Sequence, residues 1–315
     1  MSLRVLNAGI QTTVQAGRRS GFRRFGVPWS GPADGWSHAL ANRLVGAAPD
    51  AAALEIAYGG ASFEFGAPLA FALTGAPAEA TLAGRPIAFH ETQQAEKGDV
   101  LAIGPSTGGA RVYLAFSGAL RTDEAFGSVS TYMPAHLGGY GGRTLAEGDQ
   151  LNIAGRNASP EMRLTPHDLR PMIGGAWALR ATASLETDLL TPDACADFFD
   201  GAWAVGRAAD RMGLRLEGPD LALRSDGRMA SAPVHPGVVQ CPADGAPILL
   251  SADAQTTGGY PRIAAVIRAD RHVLGQMRPG DGLRFLKTAP DEAIAVLKAK
   301  AALLDAWAPD GSALL

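Results

Sequence analysis

Glycine and proline punctuate this chain more densely than any other feature, with 39 Gly and 21 Pro among 315 residues. Both are poor guests inside helices and strands. Regular elements must therefore be short and turns frequent, and no collagen-like period accompanies them. Hydrophobic residues make up 47% and charged residues 19%, an ordinary globular balance. The length allows two domains, or one large one, with a substantial core and no need of metals or disulfides. The expectation is a mainly β protein with a few helices.

Charge and cysteine content narrow the function classes. The formal charge of −3 argues against a general nucleic-acid binder, which needs a basic footprint. Arginine greatly outnumbers lysine; Lys97, Lys287, Lys298 and Lys300 are the lysines. Arginine suits bidentate contacts to carboxylate or phosphate, and GC-rich coding produces the same bias. Cys195 and Cys241 imply neither a disulfide framework nor a zinc site, so free thiols and a cytoplasmic location are expected. The N-terminal region carries Arg4, Arg18, Arg19, Arg23 and Arg24 and no apolar h-region, so no secretory signal is expected. No apolar run approaches a bilayer span.

Strand patterns occur at 69–74, 99–103, 110–116, 248–252 and 263–268, and 99–103 with 110–116 reads as a hairpin. Gly98-Asp99, Gly148-Asp149 and Gly280-Asp281 each open a Gly-Asp-x-Leu stretch and read as one recurring turn. Gln11-Thr12-Thr13 is echoed by Gln255-Thr256-Thr257, which hints at two related β-rich domains. Three helices are expected. Asp34 caps one that runs to Gly46 with Trp36, Leu40 and Leu44 on one face. Thr191-Pro192-Asp193 starts a second that buries Phe198 or Phe199. The third covers 290–307, with Ile294, Leu297, Ala301 and Leu304 at helical spacing. The polar stretch 156–170 is the expected boundary, dividing domain 1–165 from domain 166–315.

Several catalytic signatures are missing. There is no P-loop, no HExxH, and no Met-Lys-Met acceptor for biotin. The six histidines are scattered singly and no metal site is expected. Gly104-Pro105-Ser106-Thr107-Gly108 fits GxSxG, but strand patterns lie on both sides, whereas a nucleophile elbow needs a helix after the serine. Three polar clusters are more informative. Gln11-Thr12-Thr13-Val14-Gln15 leads to Ser30-Gly31-Pro32-Ala33-Asp34. Ser128-Val129-Ser130-Thr131-Tyr132 leads to Gly141-Gly142-Arg143. The third is Asp253-Ala254-Gln255-Thr256-Thr257-Gly258-Gly259-Tyr260-Pro261-Arg262. Each joins hydroxyls or amides to glycines that admit close backbone approach. Loop composition alone accounts for one such cluster; three of similar make-up point to a polar site. Asp34, Glu55, Asp210 and Asp253 lie within or beside apolar sequence, where a carboxylate needs a partner or serves as acid or base.

These stretches, with Gly26-Val27-Pro28, Asp210-Arg211-Met212-Gly213 and Pro279-Gly280-Asp281, resemble the KipI-antagonist family. That family is also called allophanate hydrolase subunit 2 or the C component of 5-oxoprolinase, and is similar to part of the urea carboxylase carboxyltransferase domain. The resemblance covers about residues 4–287. It implies two cyclophilin-like β-barrel domains. It also implies a subunit of an ATP-dependent 5-oxoprolinase, which opens a lactam to glutamate with a KipI-like and a LamB/YcsF-like partner. ATP with Mg²⁺ is then shared with the partners, and this chain carries no attached biotin. The alternatives are a biotin-dependent carboxyltransferase subunit acting on urea-like amides, and a non-enzymatic antagonist of a KipI-like kinase inhibitor.

Under this resemblance Arg143, Arg211 and Arg262 are assigned to anions, with Arg262 also placed among the catalytic groups. Gln11, Thr12, Thr13, Ser30, Gln255, Thr256, Thr257 and Tyr260 are expected to hold substrate or nucleotide, and Glu55 or Asp253 to handle a proton or metal. The family pattern has an Asp where Ala16 stands, an Arg where Val129 stands and a Glu where Ala232 stands. The first two changes together are equally readable as removal of one ion pair or as altered substrate choice or weakened catalysis.

Overall fold

The computed structural model describes residues 1–155 and 161–315; residues 156–160 of the expected boundary stretch lie outside them. The chain divides into two compact units. Unit 1 comprises Met1–Arg19, Ser30–Ile173 and Leu303–Leu314, and unit 2 comprises Ser20–Trp29, Gly174–Ala302 and Leu315. The main division thus falls after residue 173 and not after 165, and two short pieces cross it. Ser20–Trp29 joins unit 2, where Arg23 Nη2 donates to the carbonyls of Val234 and Gln255. Leu303–Leu314 joins unit 1, where the Trp307 carbonyl accepts from Arg43 Nε at 2.6 Å.

Unit 1 is built from two sheets. One has seven strands in the order Ala119–Arg121, Gln150–Ala154, Ser2–Ala8, Ala61–Phe65, Val100–Ser106, Ala78–Leu82 and Arg85–Pro86. The other has five, in the order Gln11–Gln15, Ala53–Ala57, Arg111–Phe116, Leu69–Gly75 and Thr92–Ala95. Leu3, Val5, Phe63 and Phe65 of the first sheet share a core with Leu54, Ile56, Phe71 and Leu114 of the second. In the first sheet Ala61, Phe63 and Phe65 alternate with half-buried Ser62 and Glu64, the pattern of a sheet wet on one face. Every residue of Ala53–Ala57 and of Leu69–Gly75 is buried. Helix α1 (Gly35–Leu44) covers the far face, packing Ala41 and Leu44 against Ala53, Ala72 and Ala115. This double burial is why these strands read as continuous apolar runs.

The expected hairpin is corrected. Val100–Ser106 lies in the seven-stranded sheet and Arg111–Phe116 in the five-stranded one, so the connection crosses between layers. A strand rather than a helix follows Ser106, and its hydroxyl donates to the Gly109 carbonyl at 3.1 Å. The three Gly-Asp turns do share one geometry. Gly98, Gly148 and Gly280 have φ of 87°, 87° and 90°. Asp99, Asp149 and Asp281 each accept from the backbone N–H three residues earlier, at 2.8–2.9 Å.

Unit 2 contains a closed seven-stranded barrel: Ala176–Ala183, Arg262–Val266, Val238–Gln240, Ile248–Leu250, Gly213–Glu217, Trp203–Ala209 and Gly282–Lys287. The closing pair, Ala176–Ala183 with Gly282–Lys287, is parallel. Helix α2 (Pro192–Asp200) starts at the Thr191 cap. It buries Phe198, which stacks on Phe285 at 4.5 Å, while Phe199 is partly buried. Helix α3 spans Pro290–Trp307 as expected, but Leu304 is its buried residue and Ile294 is 55% exposed. The apolar spacing of α3 therefore does not correspond to a buried face within this chain.

Candidate functional site

In unit 1 the polar groups concentrate where α1 begins. Glu55 and Tyr113 stand opposite each other in neighbouring antiparallel strands. Glu55 Oε2 accepts from the Tyr113 hydroxyl at 2.7 Å and from Ala33 N at 2.8 Å, and Oε1 accepts from Arg111 Nε at 3.2 Å. The Tyr113 oxygen accepts from Asp34 N at 2.8 Å. Asp34 Oδ1 takes the Ser37 N–H at 2.9 Å and Oδ2 the Ser37 hydroxyl at 2.5 Å. Glu55 is thus a buried carboxylate whose cost of desolvation is offset by an ion pair and two hydrogen bonds. Burial, then the Glu55 charge, raise the Tyr113 phenol well above its ordinary value, so it stays a donor.

Beside it, His38 is fully buried. Its Nε2 lies 3.2 Å from the Gln15 carbonyl, and its Nδ1 is 3.3 Å from Asn42 Nδ2. Burial lowers its pKa. Its Nδ1 also lies 3.1 Å from the Pro49 carbonyl, so each ring nitrogen faces a backbone carbonyl, and in the neutral ring one of them donates.

The first two polar clusters meet here. The Ser128 hydroxyl donates to Gly17 O at 2.7 Å, that of Ser130 to Ala16 O at 3.0 Å and that of Thr131 to Val14 O at 2.9 Å. These hydroxyls are spent on holding backbone. The Thr12 hydroxyl donates to Ala8 O at 2.6 Å, Thr13 Oγ1 accepts from Gln15 Nε2 at 3.1 Å, and Gln11 Nε2 reaches Met133 Sδ at 3.3 Å. Ser30 differs: it is a buried non-glycine residue at φ 51°, and its hydroxyl has no partner among the described residues. Strain plus an orphan hydroxyl marks it as the functional candidate of this unit. Arg143 is more exposed and grips Asp149 through two bonds of 2.7 and 2.8 Å, below Tyr140.

Unit 2 holds the third cluster. Arg211 pairs with Asp253 at 2.7 and 3.0 Å with both side chains buried. Arg262 pairs with Glu186 at 2.7 and 2.5 Å and also donates to Pro233 O. Arg143, Arg211 and Arg262 are therefore each occupied by a carboxylate of their own unit. Thr256 O accepts from Val234 N, and Thr257 pairs with Pro233 in a two-residue ladder. Gln255 Nε2 donates to Gln240 Oε1 at 3.1 Å, and Gln240 Nε2 donates to Tyr260 O at 3.4 Å. Gln240, Gln255 and Tyr260 line a cavity of about 420 Å³ with Asp210, Met212 and Arg215.

Sequence reading missed Tyr113, Arg111, Gln240 and Glu186. Part of the signal for the first two lies in the sequence: Arg111 and Tyr113, two apart in a strand, share a face, while their meeting with Glu55 comes from the pairing of the two strands.

The family model described as carboxyltransferase domain, subdomain A and B, matches residues 25–287. The chain belongs to the carboxyltransferase-domain family. Among relatives of this family, a 5-oxoprolinase subunit of Escherichia coli is 37% identical over 294 residues, covering 93% of each chain. Urea amidolyase of Saccharomyces cerevisiae is 32% identical over 287 residues, covering 85% of this chain and 16% of that one. The crystal structure of Kluyveromyces lactis urea amidolyase superposes with a TM-score of 0.92 at 29% identity. That match covers 98% of this carboxyltransferase-domain chain, which spans 20% of the solved one.

Proposed function

We propose that this chain is a subunit of an ATP-dependent 5-oxoprolinase that opens 5-oxoproline to glutamate. It works with a KipI-like and a LamB/YcsF-like subunit, in the cytoplasm, where its two free thiols persist. One observation carries the reading: the resemblance to a 5-oxoprolinase subunit extends over 93% of both chains.

The unit 2 cavity supports an amide ligand. A lactam presents one N–H and one C=O side by side, and the carboxamides of Gln240 and Gln255 offer the complementary acceptor and donor. We assign substrate contact to Gln255 and Tyr260, and positioning to Glu55, which fixes the start of α1. Among the described residues no cluster of carboxylates and imidazoles is set to hold Mg²⁺-triphosphate. Glu55, Asp253 and Glu186 are held by Arg111, Arg211 and Arg262, and ligating a metal would break those pairs. We therefore assign ATP and Mg²⁺ mainly to the partner subunits, and ATP supplies activation of the lactam carbonyl by phosphorylation.

Reconstitution tests this. Glutamate formation from 5-oxoproline and ATP is expected with all three proteins and lost when this chain is omitted. Activity of the other two alone at the same rate rejects the proposal. The superposition on urea amidolyase favours a second reading, a carboxyltransferase acting on urea. Turnover of urea with a biotinylated partner, without response to 5-oxoproline, selects it.

A further inference from the structure

Arg23 belongs to unit 2. Arg111, Arg143, Arg180, Arg211, Arg215 and Arg262 each face a carboxylate. Arg23 has none among the described residues. Its guanidinium is half-buried, lies 4.6 Å from the centroid of the Trp29 ring, and directs Nη2 to the carbonyls of Val234 and Gln255. Its Nη1 is shielded from solvent and has no acceptor. A guanidinium nitrogen shielded from water with its donors unspent carries a desolvation cost that an anion brought to it would offset.

The charges of nearby arginines reach the adjoining histidine. His235 follows Val234, and its imidazole is lowered first by burial and then by the charges of Arg271, Arg23 and Arg262. Glu186, the carboxylate on Arg262, is held there by two short bonds. Gln255, whose carbonyl receives Arg23, is itself a wall of the amide-lined cavity.

We propose that Arg23 anchors an oxyanion subsite in unit 2, next to the Gln240–Gln255 cavity. It takes the carboxylate or phosphoryl group of a ligand whose amide end meets those glutamines. The identity of the ligand rests on the 5-oxoprolinase reading; the subsite itself rests on the unpaired guanidinium. Sequence reading counted Arg23 only among the N-terminal arginines.

The full chain is titrated calorimetrically with 5-oxoproline, with 2-pyrrolidinone (the same lactam without its carboxylate), with ADP and with inorganic phosphate. At least one anionic probe is expected to bind. Its affinity falls about 10- to 100-fold in Arg23→Gln, the size of a lost charge-assisted hydrogen bond. Arg23→Lys, which keeps the charge but not the fork, lies in between, and 2-pyrrolidinone is indifferent to both. Dependence confined to 5-oxoproline identifies a carboxylate; dependence of ADP and phosphate identifies a phosphoryl group. If no anionic probe binds, or Arg23→Gln binds them all as wild type does, the subsite is overturned. Thermal unfolding without ligand is a second readout. Arg23→Gln gives up the Nη2 bonds and the Trp29 contact together with the unfilled Nη1, so a small change in melting temperature is expected; a large drop marks a structural arginine and overturns the proposal. A reconstituted complex that makes no glutamate, while oxyanion binding still depends on Arg23, removes the 5-oxoprolinase reading and leaves the subsite standing.

Discussion

The Tyr113 hydroxyl lies 2.7 Å from Glu55 Oε2 and 2.8 Å from Asp34 N. One phenol thereby ties the middle of the five-stranded sheet to the residue that caps α1. It donates to the carboxylate and accepts from the backbone, so neither neighbour is left unsatisfied in the interior.

Tyr113→Phe removes both bonds while keeping the ring. A loss of about 1–3 kcal/mol in urea unfolding is expected from the two orphaned partners. Because the folded-state pKa of Tyr113 is raised, its contribution is complete below the ordinary tyrosine value of about 10 and is lost as pH rises beyond it. The Phe variant should show a shallower alkaline loss of stability. Identical alkaline limbs would mean the phenol is not the titrating group.

His90 makes an opposite prediction at acid pH. Burial, then the Arg170 charge, hold its pKa at about 4. The unfolded chain takes up a proton near pH 6.5 and the folded chain does not, so stability falls as pH drops from 6.5 to 4. The loss from His90 is up to about 3 kcal/mol. His38 and His272, also lowered by burial, add in the same direction. The backbone at His90 has φ 64°, which asparagine tolerates. His90→Asn should lessen the acid-side slope without abolishing it, read from melting temperatures across pH 4–7.

Arg211 and Asp253 form a pair with 5% and 2% side-chain exposure. Arg211→Ala strands a buried carboxylate and should cost about 3–5 kcal/mol. Replacing both by leucine should recover much of that. If the folded double variant still supports glutamate formation in the reconstituted complex, the pair is structural; if it folds and activity vanishes, one of the two touches substrate.

Ala16 lies beside Ser130, whose hydroxyl both accepts from Ala16 N and donates to Ala16 O at 3.0 Å, and Val129 precedes Ser130 in the chain. A double-mutant cycle separates loss of the family's Asp and Arg as one ion pair from two independent changes. Ala16→Asp alone should destabilise by burying a charge. Adding Val129→Arg should recover part of the loss, with a coupling of about 0.5–3 kcal/mol in a double-mutant cycle. Additive losses would make the two changes independent.

Local chemistry made much of this legible. Asp34 announced α1, Thr191-Pro192 announced α2, and three Gly-Asp pairs announced three like turns, because caps and left-handed glycines act within a few residues. Pairing was not legible. The sequence 99–116 has the strand–turn–strand pattern of a hairpin, yet its halves enter different sheets, a choice made by long-range packing that no local pattern carries. The site was half legible for the same reason. Clusters such as 253–262 identified polar loops, but whether Arg262 is free or bound to Glu186, 76 positions away, depends on tertiary contact. The face of α3 failed likewise, since helical spacing of Ile294, Leu297 and Ala301 says nothing about whether anything covers it.

The excursion of residues 20–29 into unit 2 has a practical corollary. A gene fragment starting at codon 174 would encode the barrel strands but omit Arg23 and Trp29, and a fragment ending at 173 would carry those ten residues without their partners. Dissection of this protein into halves therefore calls for a permuted or co-expressed design rather than a simple truncation.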